Sequence, residues 1–144
     1  MEEKKVVPIY SLDRDCEKHG CAKACMEPKL RVFDDCFPQN IRLGDADGII
    51  ERKGHILILE WKHYDNPSAF EDTSKAQRIM AQAFVNNNPK QQWWFILGDP
   101  QTMNAKWGIK ITADQPYNPE NWKQINLRKL EATLRHWYQE ADKG

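Results

Sequence analysis

The sequence lacks three features that would assign it to a broad class. None of its apolar runs approaches the roughly 20 residues that a membrane-spanning helix requires. Its opening segment, MEEKKVVPIYSLD, lacks the long apolar core of a secretory signal peptide, so we expect a cytoplasmic protein. Its 21 basic and 21 acidic residues give a net charge of zero, which removes any bulk electrostatic reason to bind nucleic acid.

Internal repeats, low-complexity tracts and linkers are also missing. With 144 residues, 40% of them hydrophobic and 29% charged, the chain fits one globular domain, residues 1–144, with its own core. Residues 1–72 hold 11 basic and 15 acidic side chains, whereas residues 73–144 hold 10 and 6. An acidic half beside a basic half suits a metal site next to a phosphate-binding surface, and it equally suits a chance distribution.

Tight cysteine pairs of the C-x2-C type are absent as well. The cysteines are separated by four, three and ten residues, whereas zinc ligands usually come in close pairs on turns. Buried or free thiols in a reducing compartment are therefore the favoured interpretation, and a bound Zn²⁺ or iron–sulfur centre is the alternative. The candidate ligands are Cys16, Cys21, Cys25 and Cys36.

Hydrophobic periodicity predicts an alternation of helices and strands. The predicted helices are residues 11–27, residues 67–85 and a closing helix opened by Asn118-Pro119-Glu120. The predicted strands are residues 47–52, 55–61, 91–97 and 106–112. This order indicates an α/β fold of the mixed-sheet (α+β) kind, with a central mixed β-sheet flanked by helices.

Several apolar side chains are assigned to the core. The predicted buried stripe of the middle helix is Ala76, Ile79, Met80, Ala83 and Phe84. That of the closing helix is Leu127, Leu130, Leu134, Trp137 and Ala141. The strand tryptophans Trp93, Trp94 and Trp107 are expected in the core, and Trp122 and Trp137 are expected to pack the closing helix against it.

The segment GDADGIIERKGHILILEWKH concentrates charge at the ends of two adjacent strands. If residues 53–54 form a two-residue turn, Asp47 lies opposite Glu60, and Asp45 lies opposite Lys62. Directly opposed residues share a face, so all four side chains converge at one end of the hairpin. A four-residue loop also keeps them together, whereas a three-residue loop separates the acids from Lys62. Lys-Gly is a weaker turn signal than Asn-Gly, so the register stays open.

The converging charges have a chemical use. Two carboxylates a few ångströms apart repel, and a hard divalent cation such as Mg²⁺ removes that conflict. A neighbouring lysine can stabilise a phosphoryl transition state or help to position and deprotonate the attacking water. This combination suits phosphodiester hydrolysis by a metal-activated water. The alternative is a solvated strand end, where Glu60 and Lys62 pair with other strands.

These residues resemble the PD-(D/E)xK nuclease superfamily. The matching elements are an Asp-Gly pair at residues 47–48, at a strand start, and Glu-x-Lys at residues 60–62, closing the next strand. The resemblance implies a restriction-endonuclease-like core, with Asp47 and Glu60 as Mg²⁺ ligands and Lys62 assisting hydrolysis. Mn²⁺ is expected to substitute for Mg²⁺.

Further site residues come from the same resemblance. Several branches of the superfamily place a glutamine in the helix after E-x-K, and Gln77 is the matching choice here. Asp45 is an additional acid that competes for the metal role. Some branches use an acid from the first helix, for which Glu17 and Glu27 are both candidates. The proline of the nominal motif is absent, since Ala46 precedes the aspartate.

The resemblance implies a small Mg²⁺-dependent nuclease, an endonuclease or an exonuclease, similar to phage-type and Holliday-junction-resolvase-like enzymes and acting on DNA in preference to RNA. Homodimerisation is left open. The main alternative is a catalytically inactive nuclease-fold module that binds nucleic acid or protein, with or without a cysteine-bound metal. An unrelated α+β interaction domain is a third.

Five cations are candidates for phosphate contacts: Lys75, Arg78, Lys90, Lys106 and Lys110.

Overall fold

The computed structural model describes residues 35–38 and 46–144. The chain divides into two compact units, Met1–Gly44 and Asp45–Gly144, and every element below belongs to the second. Its strands are β1 (Gly48–Arg52), β2 (His55–Lys62), β3 (Gln91–Asp99), β4 (Asn104–Ile111) and β5 (Lys123–Gln124). Its helices are α1 (Pro67–Thr73), α2 (Lys75–Val85) and α3 (Leu127–Asp142), with a 3₁₀ turn at Pro119–Asn121. The predicted helix at residues 11–27 lies outside the described residues.

The five strands form one mixed sheet in the order β1-β2-β3-β4-β5. Strands β2 and β3 are parallel, and every other neighbouring pair is antiparallel. The connection from β2 to β3 runs through α1 and α2, because parallel strands need a crossover long enough to return to the starting edge. The predicted mixed α/β architecture is confirmed.

The turn between β1 and β2 determines the hairpin register. Lys53 has a φ of 51° and Gly54 a φ of 83°, and two consecutive positive φ values are typical of a type I′ turn. The observed pairing of Arg52 with His55 and of Gly48 with Leu59 confirms the two-residue register. Continued one step beyond the last observed pair, this register sets Asp47 opposite Glu60.

The tip of the hairpin is attached to the end of α3. Arg52 Nε donates a 2.6 Å hydrogen bond to Asp142 Oδ1, and Lys53 Nζ donates one of 2.6 Å to the Asp142 carbonyl. The guanidinium of Arg52 also holds the pKa of the Asp142 carboxyl below its ordinary value through that hydrogen bond. Cations at a helix C-terminus are favourable, so the contact stabilises both elements.

The sheet separates two hydrophobic cores. On one face Ile58 and Phe95 pack with Phe70 of α1 and with Ala81 and Val85 of α2. The other core joins the sheet to α3 through Leu57, Trp94, Ile96, Leu130 and Trp137. Each large apolar side chain buried in this way contributes about 1.5–3 kcal/mol. Successive side chains of β2 point to opposite faces of the sheet. Glu60 and Lys62 therefore lie on the same face as Ile58, which α1 and α2 cover.

The predicted continuous helix at residues 67–85 is wrong, because Ser74 divides it. Asn66 caps α1 by accepting from Ala69 N, and Ser74, at φ −111° and ψ 11°, ends α1 and begins α2. Ser74 is buried, and its hydroxyl accepts a 3.1 Å hydrogen bond from Arg78 Nε. Both helices pack against the same core, α1 through Phe70 and α2 through Ala81 and Val85.

The buried stripe predicted for α2 is also wrong. Ile79 and Met80 are 61% and 48% exposed, whereas Ala81 and Val85 are fully buried. Ala76 and Ala83 are exposed too, and only Phe84 of the predicted set contacts the core, where its ring meets Trp93 edge-on. Small side chains at the contact allow a helix to approach closely, which favours the Ala81 side over the bulkier stripe.

The closing helix begins later than predicted. Asn118 does cap a helical turn, because its Oδ1 accepts from Glu120 N, but that turn stops at Asn121. The chain then forms β5, and Asn126 caps α3 by accepting from Lys129 N at 2.9 Å.

The core positions predicted for the tryptophans and for α3 are confirmed in part. Trp122 lies outside α3 and packs on Phe70, with ring centroids 5.2 Å apart, so its predicted helical position is wrong. The predicted α3 stripe is confirmed at Leu130, Trp137 and Ala141, which are buried. Trp93 and Trp94 are buried core residues as expected, and Trp107 is partly buried against the same core as Trp93.

Within residues 35–38 and 46–144, no helix combines the length and apolarity needed to cross a membrane.

Candidate functional site

The candidate site lies where β1 begins and β2 ends. Glu60 follows the apolar run of β2 on the face covered by α1 and α2, and only 4% of it is exposed. Lys62, two positions on, points to the same face and is half-buried. Asp47, exposed, precedes β1 across the hairpin. The type I′ turn therefore brings together the three residues that the resemblance singles out.

Hydrogen bonds connect these residues directly. Asp47 N donates to Glu60 Oε1 at 2.9 Å, and Trp61 N donates to Asp47 Oδ2 at 2.7 Å. Lys62 Nζ lies 3.2 Å from Glu60 Oε2, so both carboxylate oxygens of Glu60 have a partner. The arrangement holds two carboxylates and one ammonium group at the same end of the hairpin.

The backbone of Trp61 is a part of the site that sequence reasoning missed. Its N–H fixes the Asp47 carboxylate, and its indole Nε1 donates a 3.1 Å hydrogen bond to the Gly98 carbonyl on β3. Gly98 follows a register irregularity between Leu97 and Gly98. The two-residue register, which sets Asp47 opposite Glu60, was the one available signal that a β2 amide lies near the aspartate.

Gln77 lies on the inward side of α2. It is half-buried, three positions after Ser74 and four before Ala81, both of which are buried. Among the described side chains it makes no hydrogen bond to Asp47, Glu60 or Lys62. Its assignment to the site remains a prediction.

Other predicted site residues fall outside the described ranges. These are the additional acid Asp45, the helix acids Glu17 and Glu27, and the thiols Cys16, Cys21 and Cys25. Cys36 is described and is exposed. The roles assigned to these residues from the sequence therefore stay predictions.

The donor set is of the kind that Mg²⁺ prefers. Mg²⁺ binds oxygen ligands, usually one or two protein carboxylates, and keeps several waters or substrate phosphates in its remaining positions. Asp47 and Glu60 supply two carboxylates at the same end of the hairpin, and each accepts a hydrogen bond from a backbone N–H of the other segment. No cluster of three or more His, Cys, Asp or Glu side chains suited to a metal occurs within the described part of the chain. The chain therefore offers a two-carboxylate site.

Further charged groups surround the end of β2. Asp65 forms a 2.9 Å ion pair with Lys106, whose hydrogen bond lowers the pKa of the Asp65 carboxyl. His63 is exposed. Tyr64 packs edge-on against Phe70 at a centroid distance of 6.4 Å. The segment directly after Lys62 therefore carries a negative charge on Asp65, paired with the positive charge of Lys106.

The cations predicted to contact phosphate do not form one group. Arg78 is engaged by Ser74 and by Glu71, whose carboxylate lies 3.5 Å from it. Lys110 lies over the ring of Trp94 at 4.8 Å, on the face that α3 covers. Lys110 is thus on the opposite side of the sheet from Glu60, and its assignment to that site is wrong.

Comparison of the chain with protein-family models, with curated proteins and with solved structures found no match.

Proposed function

We propose that this chain is a Mg²⁺-dependent nuclease with a restriction-endonuclease-like core that hydrolyses phosphodiester bonds of DNA. The observation that supports it is the convergence of Asp47, Glu60 and Lys62 at one hairpin end, joined by hydrogen bonds and an ion pair. The spacing and the strand context are those of the PD-(D/E)xK resemblance. Because no relative was found, the proposal depends on this geometry and on the motif.

Burial of Glu60 is the strongest physical argument for a function. A buried ion pair seldom adds net stability, because desolvation of the two charges offsets most of their attraction. Glu60 is nevertheless 4% exposed beside a half-buried lysine at the end of a core strand. Strained or costly charge placements of this kind concentrate at functional sites.

The residues would divide the chemistry as follows. Asp47 and Glu60 would hold Mg²⁺, and the N–H of Trp61 would keep the Asp47 carboxylate oriented. When bound, Mg²⁺ supplies charge stabilisation at the phosphate and lowers the pKa of water. Lys62, kept near Glu60, would stabilise the negative charge that develops on the phosphoryl group or orient the attacking water.

The test is a cleavage assay on branched, duplex and single-stranded DNA, with RNA as a fourth substrate, in Mg²⁺ and then in excess EDTA. We expect cleavage of at least one DNA substrate that EDTA abolishes. Glu60→Gln, Asp47→Asn and Lys62→Met should each lower the rate on the order of 10²-fold or more. Glu131→Gln and Lys129→Met, exposed positions on α3, are the matched controls and should retain wild-type rates.

Each variant is first checked for its far-ultraviolet circular dichroism and melting temperature. A folded Glu60→Gln protein that cleaves at the wild-type rate would contradict the assignment. If the wild type binds DNA without cleaving any substrate in Mg²⁺ or Mn²⁺, the inactive nucleic-acid-binding module replaces the nuclease.

A further inference from the structure

The sheet face opposite Glu60 contains a cavity of about 310 Å³. This volume is at the small end of the range for ligand pockets. Its apolar lining includes the half-buried Ile125, together with Trp94, Ile96 and Leu130, which are each no more than 5% exposed. The cavity lies between β3, β4 and the first half of α3, so rigid elements surround most of it.

A glycine on β4 allows apolar side chains to pack closely at the cavity lining. Ile96 of β3 pairs with Gly108 of β4, and Gly108 in turn pairs with Lys123 of β5, so the three positions form one row. A Cβ at Gly108 would lie 3.1 Å from Ile125 Cδ1 and 3.4 Å from Ile96 Cδ1. The missing side chain therefore lets Ile125 and Ile96 approach β4 beside the cavity.

Two lysines border the cavity without compensating acids. Lys110 and Lys123 both line it, and neither has a carboxylate within ion-pair distance among residues 46–144. Burial, and then the charge of Lys123, lower the pKa of the Lys110 ammonium. An anion placed between them would relieve this repulsion.

The remaining rim groups can bind polar atoms of a ligand. Gln115 Nε2 donates to the Lys110 carbonyl at 2.9 Å, which fixes the loop after β4 beside the cavity. Thr133 Oγ1 donates to the Lys129 carbonyl, so its oxygen still has lone pairs to accept a hydrogen bond. Asn121 completes the polar edge. An apolar wall with a few polar groups at one side is the usual composition of a small-molecule site.

We propose that this cavity binds a small organic anion that combines a flat apolar ring with a carboxylate or phosphate group. The ring would lie against the half-buried Ile125, and the anionic group would contact Lys110 and Lys123. The site is on the opposite face of the sheet from Asp47 and Glu60, so it is independent of the proposed nuclease activity.

Isothermal titration calorimetry with the full chain tests the ligand class. The probes are adenosine 5′-monophosphate and indole-3-carboxylate, compared with uncharged adenosine and indole and with ringless inorganic phosphate and acetate. At least one ring-bearing anion should bind at one site, tenfold or more tighter than its uncharged and ringless counterparts. Which of the two binds identifies phosphate or carboxylate as the preferred group. No saturable binding by either anion overturns the proposal, as does equal binding of the ringless anions.

Variants test the location. Lys110→Gln/Lys123→Gln should weaken the binding anion at least tenfold, and Thr133→Phe, which fills the cavity, should abolish binding. Lys129→Gln/Lys143→Gln removes the same charge from exposed positions and should bind like the wild type. If the anion binds equally to the first double variant and to the wild type, the site is elsewhere. The double variant decides the question even if Thr133→Phe fails to fold.

Discussion

At the scale of single residues, Tyr117 connects the segments around the α1–α2 junction. Its hydroxyl donates to a Glu71 carboxylate oxygen and accepts a 3.2 Å hydrogen bond from Trp122 Nε1. The guanidinium of Arg78 lies 5.1 Å from the centre of its ring. Burial, together with the hydrogen bond to Glu71, raises the pKa of Tyr117 to about 12. The neutral phenol is therefore the form that the fold favours.

Tyr117→Phe should destabilise the protein by about 1–2 kcal/mol, because a hydrogen bond to a charged group is lost. The wild-type advantage should be complete below pH 10.0, the ordinary pKa, and should shrink as pH rises towards about 12, because only the unfolded state releases the proton. Urea denaturation followed by circular dichroism at pH 9 and pH 11 measures both effects.

Tyr138→Phe, at an exposed position of α3, is the control and should not alter the pH dependence. An advantage of the wild type over Tyr117→Phe that is equal at both pH values would contradict the assignment.

At the scale of elements, the sequence predicted strands better than helix faces. The observed hairpin register was one of three that the sequence left open, and two of those three place Asp47, Glu60 and Lys62 on one face. In α2 the most apolar stripe, with Ile79 and Met80, faces outward. The sequence did not reveal the break at Ser74, and close packing through Ala81 depends on tertiary contacts that no single helix encodes.

Adjacent residues of α2 should therefore respond oppositely to substitution. Ala81→Leu should destabilise the protein by about 1–3 kcal/mol, because a fully buried position has no room for the added atoms. Met80→Lys should change stability by no more than about 0.5 kcal/mol. Urea denaturation gives both values. A larger loss of unfolding free energy in Met80→Lys than in Ala81→Leu would indicate that α2 packs through the apolar stripe predicted from the sequence.

The type I′ turn gives a second element-scale prediction. Gly54→Ala should cost about 1 kcal/mol or more, since alanine is strained at a φ of 83°. Gly48→Ala is the matched control: its Cβ would meet only Leu59 Cβ, at 3.9 Å, and it should be tolerated. Chemical denaturation compares the two variants. Equal stability of both would show that the turn does not require glycine.

At the scale of the whole described unit, one sheet separates the two proposed sites. The carboxylate site lies on the α1–α2 face, and the lysine-lined cavity lies on the α3 face. Alternation in β4, with Trp107, Ile109 and Ile111 on one side, was predicted and agrees with the observed core. The same alternation puts Lys110 on the α3 face, whereas the sequence alone could not say which face belonged to Glu60.

Mg²⁺ binding should stabilise the folded protein as a whole. A ligand that binds only the folded state at a hundred times its Kd adds about 2.7 kcal/mol, so the melting temperature should rise with Mg²⁺ concentration. Differential scanning calorimetry of wild type, Glu60→Gln and Glu131→Gln measures this. The shift should disappear in Glu60→Gln and persist in Glu131→Gln. An equal shift in all three would mean that Mg²⁺ binds elsewhere.

The two hydrogen bonds of Trp61 should restrict motion at the proposed site. Strand ends normally fray, and their amides exchange with solvent far faster than those of the core. The backbone N–H of Trp61 is bound to Asp47 before β1, while its indole is bound to Gly98 on β3, so one residue links three adjacent segments. Glu60 and Lys62, on either side of it, are therefore restrained near the end of their strand. The amide of Trp61 should exchange as slowly as those in the centre of β2, so the site would be largely preorganised before any ligand arrives.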